Sequence, residues 1–428
     1  MDSQPRNIEW RSILMIIFGL SGALLAITSG IGIFIFVAIN ESFIQATDVG
    51  PLATILTGST LIVIGTLLLP VTWLSLQRLR GRSFNPIALP PLRPWMWVLI
   101  PVLWILVLAL ATLYYNAPGA GWYIPVLHFL SIALPIYLVL RLSINRITLG
   151  SSQRAWGVFG IGMTLSPLLA IIAEITLIAM GVLIVAIFLG FNPDLMAQAE
   201  ELIHQIEAAP DMDSLIHAVG PLLNNPLALL TALAILSFFV PLIEETAKSL
   251  GIWFVADRLT SPTQGFAMGV LSGAGFALAE SLSASLTADD TWAVTLGMRA
   301  VSGSMHMLAT GLFGWGIAYA RLEKRYFRMI AMALTAVLLH AFWNAGAVFS
   351  VAGGIRVMLT MPDFDFLGTL MTIGGAGLLF ILASGMLIAF FAINRRFRVP
   401  SLQSPLPQEM ETVPNDSNET PDDEGKVK

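Results

Sequence analysis

Long apolar runs recur along the whole chain, and they constrain its fold more than any other feature. We find about ten runs of roughly 20 or more apolar residues, the length that spans a bilayer, and 56% of the 428 residues are hydrophobic while 11% are charged. An ordinary soluble domain has about a quarter of its residues charged, so a water-soluble globule is excluded. Because helices satisfy their own backbone hydrogen bonds in lipid, the sequence predicts an all-α, polytopic membrane protein.

The loops between the predicted spans alternate in charge. Lysine and arginine gather before the first span and after each even-numbered span, and short positive loops stay cytoplasmic, so both termini of a multi-pass cell-membrane protein are predicted to be cytoplasmic. The fifth span is long enough that it must tilt, kink near Pro167 or extend beyond the bilayer. The predicted spans are Ser12 to Asn40, Leu52 to Ser75, Trp95 to Tyr114, Trp122 to Leu140, Trp156 to Leu189, Pro226 to Phe254, Gly265 to Leu286, Trp292 to Ala320, Phe327 to Ser350 and Gly368 to Ile393.

Composition divides the chain into five segments. Residues 1–190 hold spans one to five, residues 226–350 hold spans six to nine, and residues 351–398 hold a loop and the tenth span. Residues 191–225 are predicted to form an amphipathic helix outside the membrane, either a connector or a lid over a substrate path. Residues 399–428 are polar and acidic and are predicted to be a disordered cytoplasmic tail. This tail carries the net charge of −5, so no nucleic-acid partner is expected.

Ionisable side chains inside the predicted spans are concentrated in one part of the chain. The absence of cysteine excludes a thiolate nucleophile and a cysteine-ligated metal. Buried ionisable groups are costly in a bilayer, so each needs a partner or a function. At 1.5 Å per residue, four of them on four helices lie roughly 15 to 22 Å from the cytoplasmic end. The sequence therefore predicts a four-helix catalytic core with one polar layer near the midplane, containing Glu244, Glu280, His306 and His340.

Spacing within these helices suggests chemistry of two kinds. Glu244 and Glu245 point about 100° apart, so Lys248 can neutralise one and leave the other free. His340 and Asn344 share a helix face, so the amide can orient the imidazole or bind a substrate carbonyl. Two imidazoles with carboxylates match a zinc site that activates water. The same groups can also work without metal, with a glutamate base and imidazole or amide donors for an oxyanion, and both mechanisms stay open.

The ordered motifs resemble a known family. Glu244-Glu245-x-x-Lys248, Phe276-x-x-x-Glu280, His306 and His340-x-x-x-Asn344 follow one another on four successive helices, as in the PrsW family of intramembrane proteases. That family is related to type II CAAX prenyl endopeptidases and bacteriocin-processing proteases. The likeness covers about residues 226–350. It implies a membrane-embedded peptidase surrounded by lipid, with a membrane-protein substrate such as an anti-sigma factor.

The resemblance also implies a role for each matching residue. Glu244 would activate the water, and Glu245 would pair with Lys248. Asn344 would support the imidazole of the histidine one turn earlier. The three remaining matching residues would bind either a metal, for which Zn²⁺ is the candidate, or the oxyanion. They are Glu280, His306 and His340. Ser281 stands where related sequences often have Asn, which leaves the neighbour of Glu280 without an assigned role.

Two functions of another class remain open from the sequence. A scaffold subunit of gamma-secretase is a distant relative of the family, so the same helix core can serve without catalysis. A membrane transporter would also place paired ionisable groups at the midplane. The complete set of acids and histidines favours the enzyme over a scaffold, and the lack of a visible inverted repeat favours it over a transporter.

Overall fold

The computed structural model describes residues 9–39, 51–115, 117, 119–284, 286 and 292–402. A π-helical turn (Ile235–Phe239) precedes α10, and a 3-10 turn (Ala256–Arg258) follows it. The α-helices are α1 (Trp10–Ile39), α2 (Pro51–Leu79), α3 (Met96–Tyr114), α4 (Ala120–Ser143), α5 (Ser152–Met163), α6 (Leu165–Gly190), α7 (Pro193–Glu207), α8 (Met212–Leu223), α9 (Pro226–Ala234), α10 (Val240–Val255), α11 (Pro262–Ala284), α12 (Trp292–Glu323), α13 (Tyr326–Thr360) and α14 (Phe366–Leu402). Of the predicted disordered tail, residues 399–428, the first four continue α14 as a helix, and the rest lies outside the described residues.

The predicted helical membrane architecture is confirmed, with one difference in the number of spans. Among the described residues, nine helical segments are long and apolar enough to cross a membrane, where the sequence predicts ten. The difference is α12, a continuous 32-residue helix that contains Arg299, His306 and several serines and glycines. It packs between α11 and α13 inside the bundle. Because α12 contacts other helices rather than lipid, it does not need an apolar surface all round.

The long fifth span is broken into two helices. Helix α5 ends at Met163 and α6 begins at Leu165, with Thr164 between them in a non-helical conformation (φ −126°, ψ −60°). Proline has no N–H for the carbonyl four residues earlier, and its ring clashes with that carbonyl. For Pro167 that carbonyl belongs to Met163, so the break falls where the predicted kink requires it.

Helix α11 lies at the centre of the bundle. It packs against α12, α5, α4 and α10. In its most apolar 18-residue stretch, 94% of the residues are buried, against at most 28% in the other candidate spans of the described chain. Glycine makes this possible, because a Cβ on Gly273 would lie 2.5 Å from the carbonyl oxygen of His306. Close backbone contact of this kind is typical of helix packing in membranes.

Two smaller features lie outside the bundle. Strands β1 (Pro86–Ala88) and β2 (Thr148–Ser151) form an antiparallel pair that the sequence did not predict. The segment 191–225 forms two helices, α7 and α8, rather than the single predicted helix. The chain turns at residues 208–211, where Asp211 accepts a hydrogen bond from the N–H of Ser214 at 2.8 Å and so caps α8.

Candidate active site

Helix α10 carries three ionisable side chains within little more than one turn. Glu244, Glu245 and Lys248 are all buried, and Lys248 is completely inaccessible. The Lys248 ammonium donates to Oε2 of Glu244 at 2.9 Å and to Oε1 of Glu245 at 2.8 Å. It also lies 4.1 Å from the centre of the Phe276 ring on α11. One lysine thus pairs with both glutamates, where the sequence predicted pairing with one of them.

The third proton of Lys248 fixes the state of His306 on α12. Nζ of Lys248 lies 2.7 Å from Nδ1 of His306. Because an ammonium can only donate, Nδ1 accepts and the ring proton resides on Nε2. Nε2 lies 2.8 Å from Oε2 of Glu280 on α11, although the angle is not that of a hydrogen bond. The imidazole is therefore held between a lysine and a carboxylate.

His340 on α13 is oriented by a hydrogen bond to a different carboxylate. Its Nδ1 lies 3.0 Å from Oε1 of Glu245, so this nitrogen carries the proton and donates it to the carboxylate. Its Nε2 then has a free lone pair and lies 3.8 Å from Oε2 of Glu244. Nδ1 of His306 lies 3.9 Å from the same oxygen. Two ring nitrogens from two helices thus face one carboxylate oxygen.

A cavity of about 530 Å³ reaches this cluster. Its walls come from α2, the α5–α6 break, α10 and α11. Among its lining residues are Glu244 and Glu280 of the predicted set and Glu174 of α6, and the other lining side chains are mostly apolar. The Glu244 carboxylate therefore borders a space large enough for an extended stretch of polypeptide.

The comparison with protein families agrees with this geometry. The model of the family described as PrsW family intramembrane metalloprotease matches residues 153–371, just over half of the chain. The chain belongs to the PrsW family. No curated protein and no solved structure matches it significantly. The match extends beyond the range predicted from the motifs, residues 226–350, at both ends, and it includes the whole predicted fifth span.

As a member of the PrsW family, the protein is an intramembrane peptidase, and its nine apolar helices among the described residues make it a multi-pass membrane protein. Its partners therefore include lipid and a membrane-protein substrate. Because the family is described as metalloproteases, we asked whether the site fits a metal. Among the described residues, Glu244, His306 and His340 offer ligand atoms that all lie within 4.8 Å of one another. Two ligands of one zinc ion lie at most about 4.2 Å apart, which both distances from Glu244 Oε2 satisfy.

The surroundings of the two histidines also fit a metal site. Metal-binding histidines almost always have their second nitrogen held by a carboxylate, carbonyl or water. Here Oε1 of Glu245 lies 3.0 Å from Nδ1 of His340, and Oε2 of Glu280 lies 2.8 Å from Nε2 of His306. Lys248 hydrogen-bonds to two of the donor atoms, so its ammonium would have to leave them before a cation could bind there. The donor set and its supporting carboxylates fit; the lysine is the group that must move.

Glu280 was predicted as a metal ligand, but its contacts lie on the far side of His306. Its Oε1 accepts a hydrogen bond from Arg299 at 2.8 Å, and its Oε2 faces Nε2 of His306. Glu244 instead lies 3.9 Å from Nδ1 of His306 and 3.8 Å from Nε2 of His340. The Zn²⁺ ligand role of Glu280 stays a prediction from the resemblance, and the distances favour Glu244 in its place.

Asn344 contacts the main chain rather than His340. Its Nδ2 donates to the carbonyl of Leu236 at 2.8 Å, within the π-helical turn before α10. In that turn the N–H of Val240 bonds to Ile235, five residues back. The matching donor for Leu236 would be residue 241, which is proline and has no N–H. Asn344 therefore supplies a hydrogen bond that the helix bearing the glutamates cannot make for itself.

Two contributors to the site were missed from the sequence. Thr310 donates to Oε2 of Glu245 at 3.1 Å, and it lies one turn after His306 on the same face of α12. That i, i+4 spacing could have identified it. Glu174 lines the cavity from a helix whose large apolar side chains are mostly exposed on the outer surface of the bundle. A single acid in the apolar run of the fifth span was the signal for it.

Proposed function

We propose that the protein hydrolyses a peptide bond of a membrane-embedded protein substrate, and that the reaction centre is formed by Glu244, His306 and His340. The observation that supports this most directly is their convergence: one carboxylate oxygen lies 3.8 and 3.9 Å from a ring nitrogen of each histidine. The cavity beside Glu244 supplies space for the substrate. An anti-sigma factor is the substrate class that the family resemblance suggests.

In this proposal Glu244 is the general base. All of the contacts described above involve its Oε2, which leaves Oε1 to accept a proton from the attacking water. Glu245 holds the proton of His340 on Nδ1 and keeps Nε2 directed at the reaction centre. Glu280 lies 2.8 Å from Nε2 of His306 and supports that imidazole by the proximity of its charge, without the geometry of a hydrogen bond. Lys248 keeps the two glutamates of α10 apart and oriented.

The same three side chains would hold Zn²⁺, through Oε2 of Glu244, Nδ1 of His306 and Nε2 of His340. A bound zinc ion lowers the pKa of water and polarises the carbonyl under attack. Glu245 and Glu280 would then act as the supporting carboxylates that orient metal-binding imidazoles.

We test the proposal with Glu244→Gln in the full-length protein in proteoliposomes. The probe is a set of single-span model peptides whose products are identified by mass spectrometry. Loss of a positioned base lowers the rate by about 10² to 10⁴, so cleavage should nearly vanish. The matched control is Glu200→Gln, an exposed residue on α7, which should cleave normally. Undiminished cleavage by Glu244→Gln would favour a non-catalytic scaffold instead.

Measuring the metal content distinguishes a zinc site formed by Glu244, His306 and His340 from a metal-free site in which Glu244 is the general base. The purified protein should contain about one zinc ion, and His340→Ala should lower this content. A chelator should abolish cleavage, and added Zn²⁺ should restore it. Cleavage that withstands complete removal of metal would show that Glu244 acts as a base without zinc.

We also propose that both termini lie on the cytoplasmic side, based on the alternation of charged loops. This orientation requires α12 to cross the membrane in addition to the nine apolar spans. A phosphatase fused after Arg321 should be inactive, because that loop is then cytoplasmic; an active fusion would contradict the orientation.

A further inference from the structure

Glu174 is an acid in the middle of α6 to which the proposed mechanism gives no role. Its helix neighbours Ile172 and Ile175 are exposed on the outer surface of the bundle, where lipid would lie. The Glu174 side chain instead lines the cavity that reaches Glu244 and Glu280. Its Oε1 is buried and has no hydrogen-bond partner within the described parts of the chain. An acceptor of this kind is costly unless something else binds to it.

The other acids of the cavity are already paired. Glu244 accepts from Lys248, and Glu280 accepts from Arg299. No lysine or arginine is among the described residues that line the cavity. The lining hydroxyls, Thr164 and Ser283, donate to carbonyls of their own helical segments. Glu174 therefore contributes a carboxylate that nothing in the cavity wall neutralises.

The cavity is thus complementary to a cation. A carboxylate binds Lys and Arg side chains through charge-assisted hydrogen bonds, which are about twice as strong as neutral ones. The remaining walls are mostly apolar, which suits a lysine or arginine stem beside a membrane segment. Bringing a substrate cation next to Glu174 would satisfy both charges where water is scarce.

We propose that Glu174 is a specificity-determining residue that binds a lysine or arginine side chain of the substrate segment lying in the cavity. This inference rests on the proposed proteolytic function and adds the class of substrate that the site prefers. Substrates with a basic residue near the scissile bond should be bound in preference to neutral ones. A main-chain N–H of the substrate is the other donor that could reach Glu174, and the experiment below separates the two.

The test measures occupancy of the cavity instead of cleavage. Because the chain has no cysteine, Leu168→Cys places a single thiol on the cavity wall. Glu244→Gln is included so that peptides are not consumed. The probes are two membrane-spanning Leu/Ala peptides, identical except for a central Lys or Gln next to a cysteine, reconstituted with the full-length protein. With a fixed concentration of an added thiol oxidant such as diamide, disulfide formation should be about tenfold faster with the Lys peptide, since a charged hydrogen bond contributes about that factor.

Variants of Glu174 test whether its charge causes the faster cross-linking of the Lys peptide. Glu174→Gln should remove the preference for the Lys peptide, and Glu174→Lys should prefer a matched peptide with a central Glu. Glu200→Gln, on the exposed surface of α7, should leave the preference intact. Equal rates for the Lys and Gln peptides would show that Glu174 binds main-chain N–H groups and would overturn the proposal, as would the absence of cross-linking from Leu168→Cys.

The two proposals fail separately. Loss of the Lys preference in a protein that still cleaves model peptides would overturn the role of Glu174 alone. Selective cross-linking in a protein that never cleaves would instead contradict the proteolytic function.

Discussion

Helices α6 and α11 cross the same bundle but differ in almost every property. The span that contains α6 has a mean hydropathy of 2.7 with 6% of its most apolar stretch buried, whereas that of α11 is 1.3 with 94% buried. The least apolar of the nine spans is thus the most enclosed. In water-soluble proteins the relation is the reverse, because the core is the apolar part.

The difference follows from the solvent. Lipid is as apolar as leucine, so apolar side chains gain little by leaving it, and helices in a membrane associate through close packing and polar contacts. Helix α11 is accordingly built from glycine, alanine and serine and brings the backbones of its neighbours close. Helix α6 presents isoleucine and leucine outward, and Glu174 is its exception. The comparison can be tested by paired substitutions, one in the core and one at the outer surface.

The largest effect is expected at Lys248, whose ammonium is fully buried between Glu244, Glu245 and His306. Lys248→Met should lower the free energy of unfolding by about 3–5 kcal/mol, because it leaves buried charges without a partner. The control, Lys324→Met, changes an exposed residue and should have almost no effect. Thermal unfolding of the full-length protein in detergent measures both. If Lys248→Met and Lys324→Met were equally stable, water would have to hydrate the two glutamates and His306 in place of the ammonium.

A smaller effect is expected from the glycine packing. Gly273→Ala would place a Cβ 2.5 Å from the carbonyl oxygen of His306 and 2.8 Å from Cα of Met307, so α11 and α12 must separate. Overpacking costs about 1–3 kcal/mol. Gly181→Ala on α6 meets nothing within 4 Å and should be neutral or slightly stabilising. Identical unfolding temperatures for the two variants would contradict the close approach.

Asparagine provides a matched pair of side-chain hydrogen bonds. Asn344 donates to Leu236 at 2.8 Å on the outer surface of an apolar span, where lipid would lie, and Asn192 donates to Phe188 at 2.7 Å just beyond the end of α6. Asn344→Leu should cost about 1 kcal/mol, because no water replaces the lost donor. Asn192→Leu should cost less, since water can reach the freed carbonyl. If the two variants unfold alike, water reaches the π-helical turn as well.

The smallest effect concerns an ion pair at the surface. Glu9 lies 2.9 Å from Arg78, and both side chains are partly exposed. Hydrogen bonds from Arg78 are the main cause of the lowered pKa of Glu9, whose ordinary value is 4.5. A lowered pKa stabilises the fold above pH 4.5, and this contribution is lost as the pH falls through the lowered value. Glu9→Gln should therefore cost at most about 1 kcal/mol at pH 7.

The pH and salt dependence provides the check on that pair. The stabilities of the wild type and Glu9→Gln should converge at the most acidic pH that the protein tolerates, and also in high salt at pH 7. A difference that grows on acidification would have the opposite sign and would exclude the pair as its source.

Much of the core was predictable because it depends on the order of helices and on spacing along each one. The layer containing Glu244, Glu280, His306 and His340 followed from counting residues along four spans. The direction in which each side chain points was not predictable, since it depends on the rotation of one helix against another. This is why Glu280 rather than Glu244 was assigned to the metal, and why Asn344 was assigned to His340.

Other misses have local causes. The helical spacing between Leu195 and Glu207 coincides with α7, and the second helix of that segment, α8, was not predicted. Helix α12 was predicted as an apolar span, but it carries polar side chains that lie in the centre of the bundle, so it is not among the nine apolar helices of the described residues, although the proposed orientation has it cross the membrane. The pairing of β1 with β2 joins segments about 60 residues apart, and strands this short carry no local sequence pattern that predicts which strand they pair with.

The π-helical turn at Ile235–Phe239 determines the rotational phase of everything that follows it on α10. A π turn accommodates one residue more than the α-helical ladder does, and each α-helical residue rotates the chain by about 100°. Removing a single residue from this turn would therefore swing the face that bears Glu244 and Lys248 away from His306 and His340, without altering any side chain of the site. Insertions and deletions that a loop tolerates easily would be fatal here, five residues before the first glutamate.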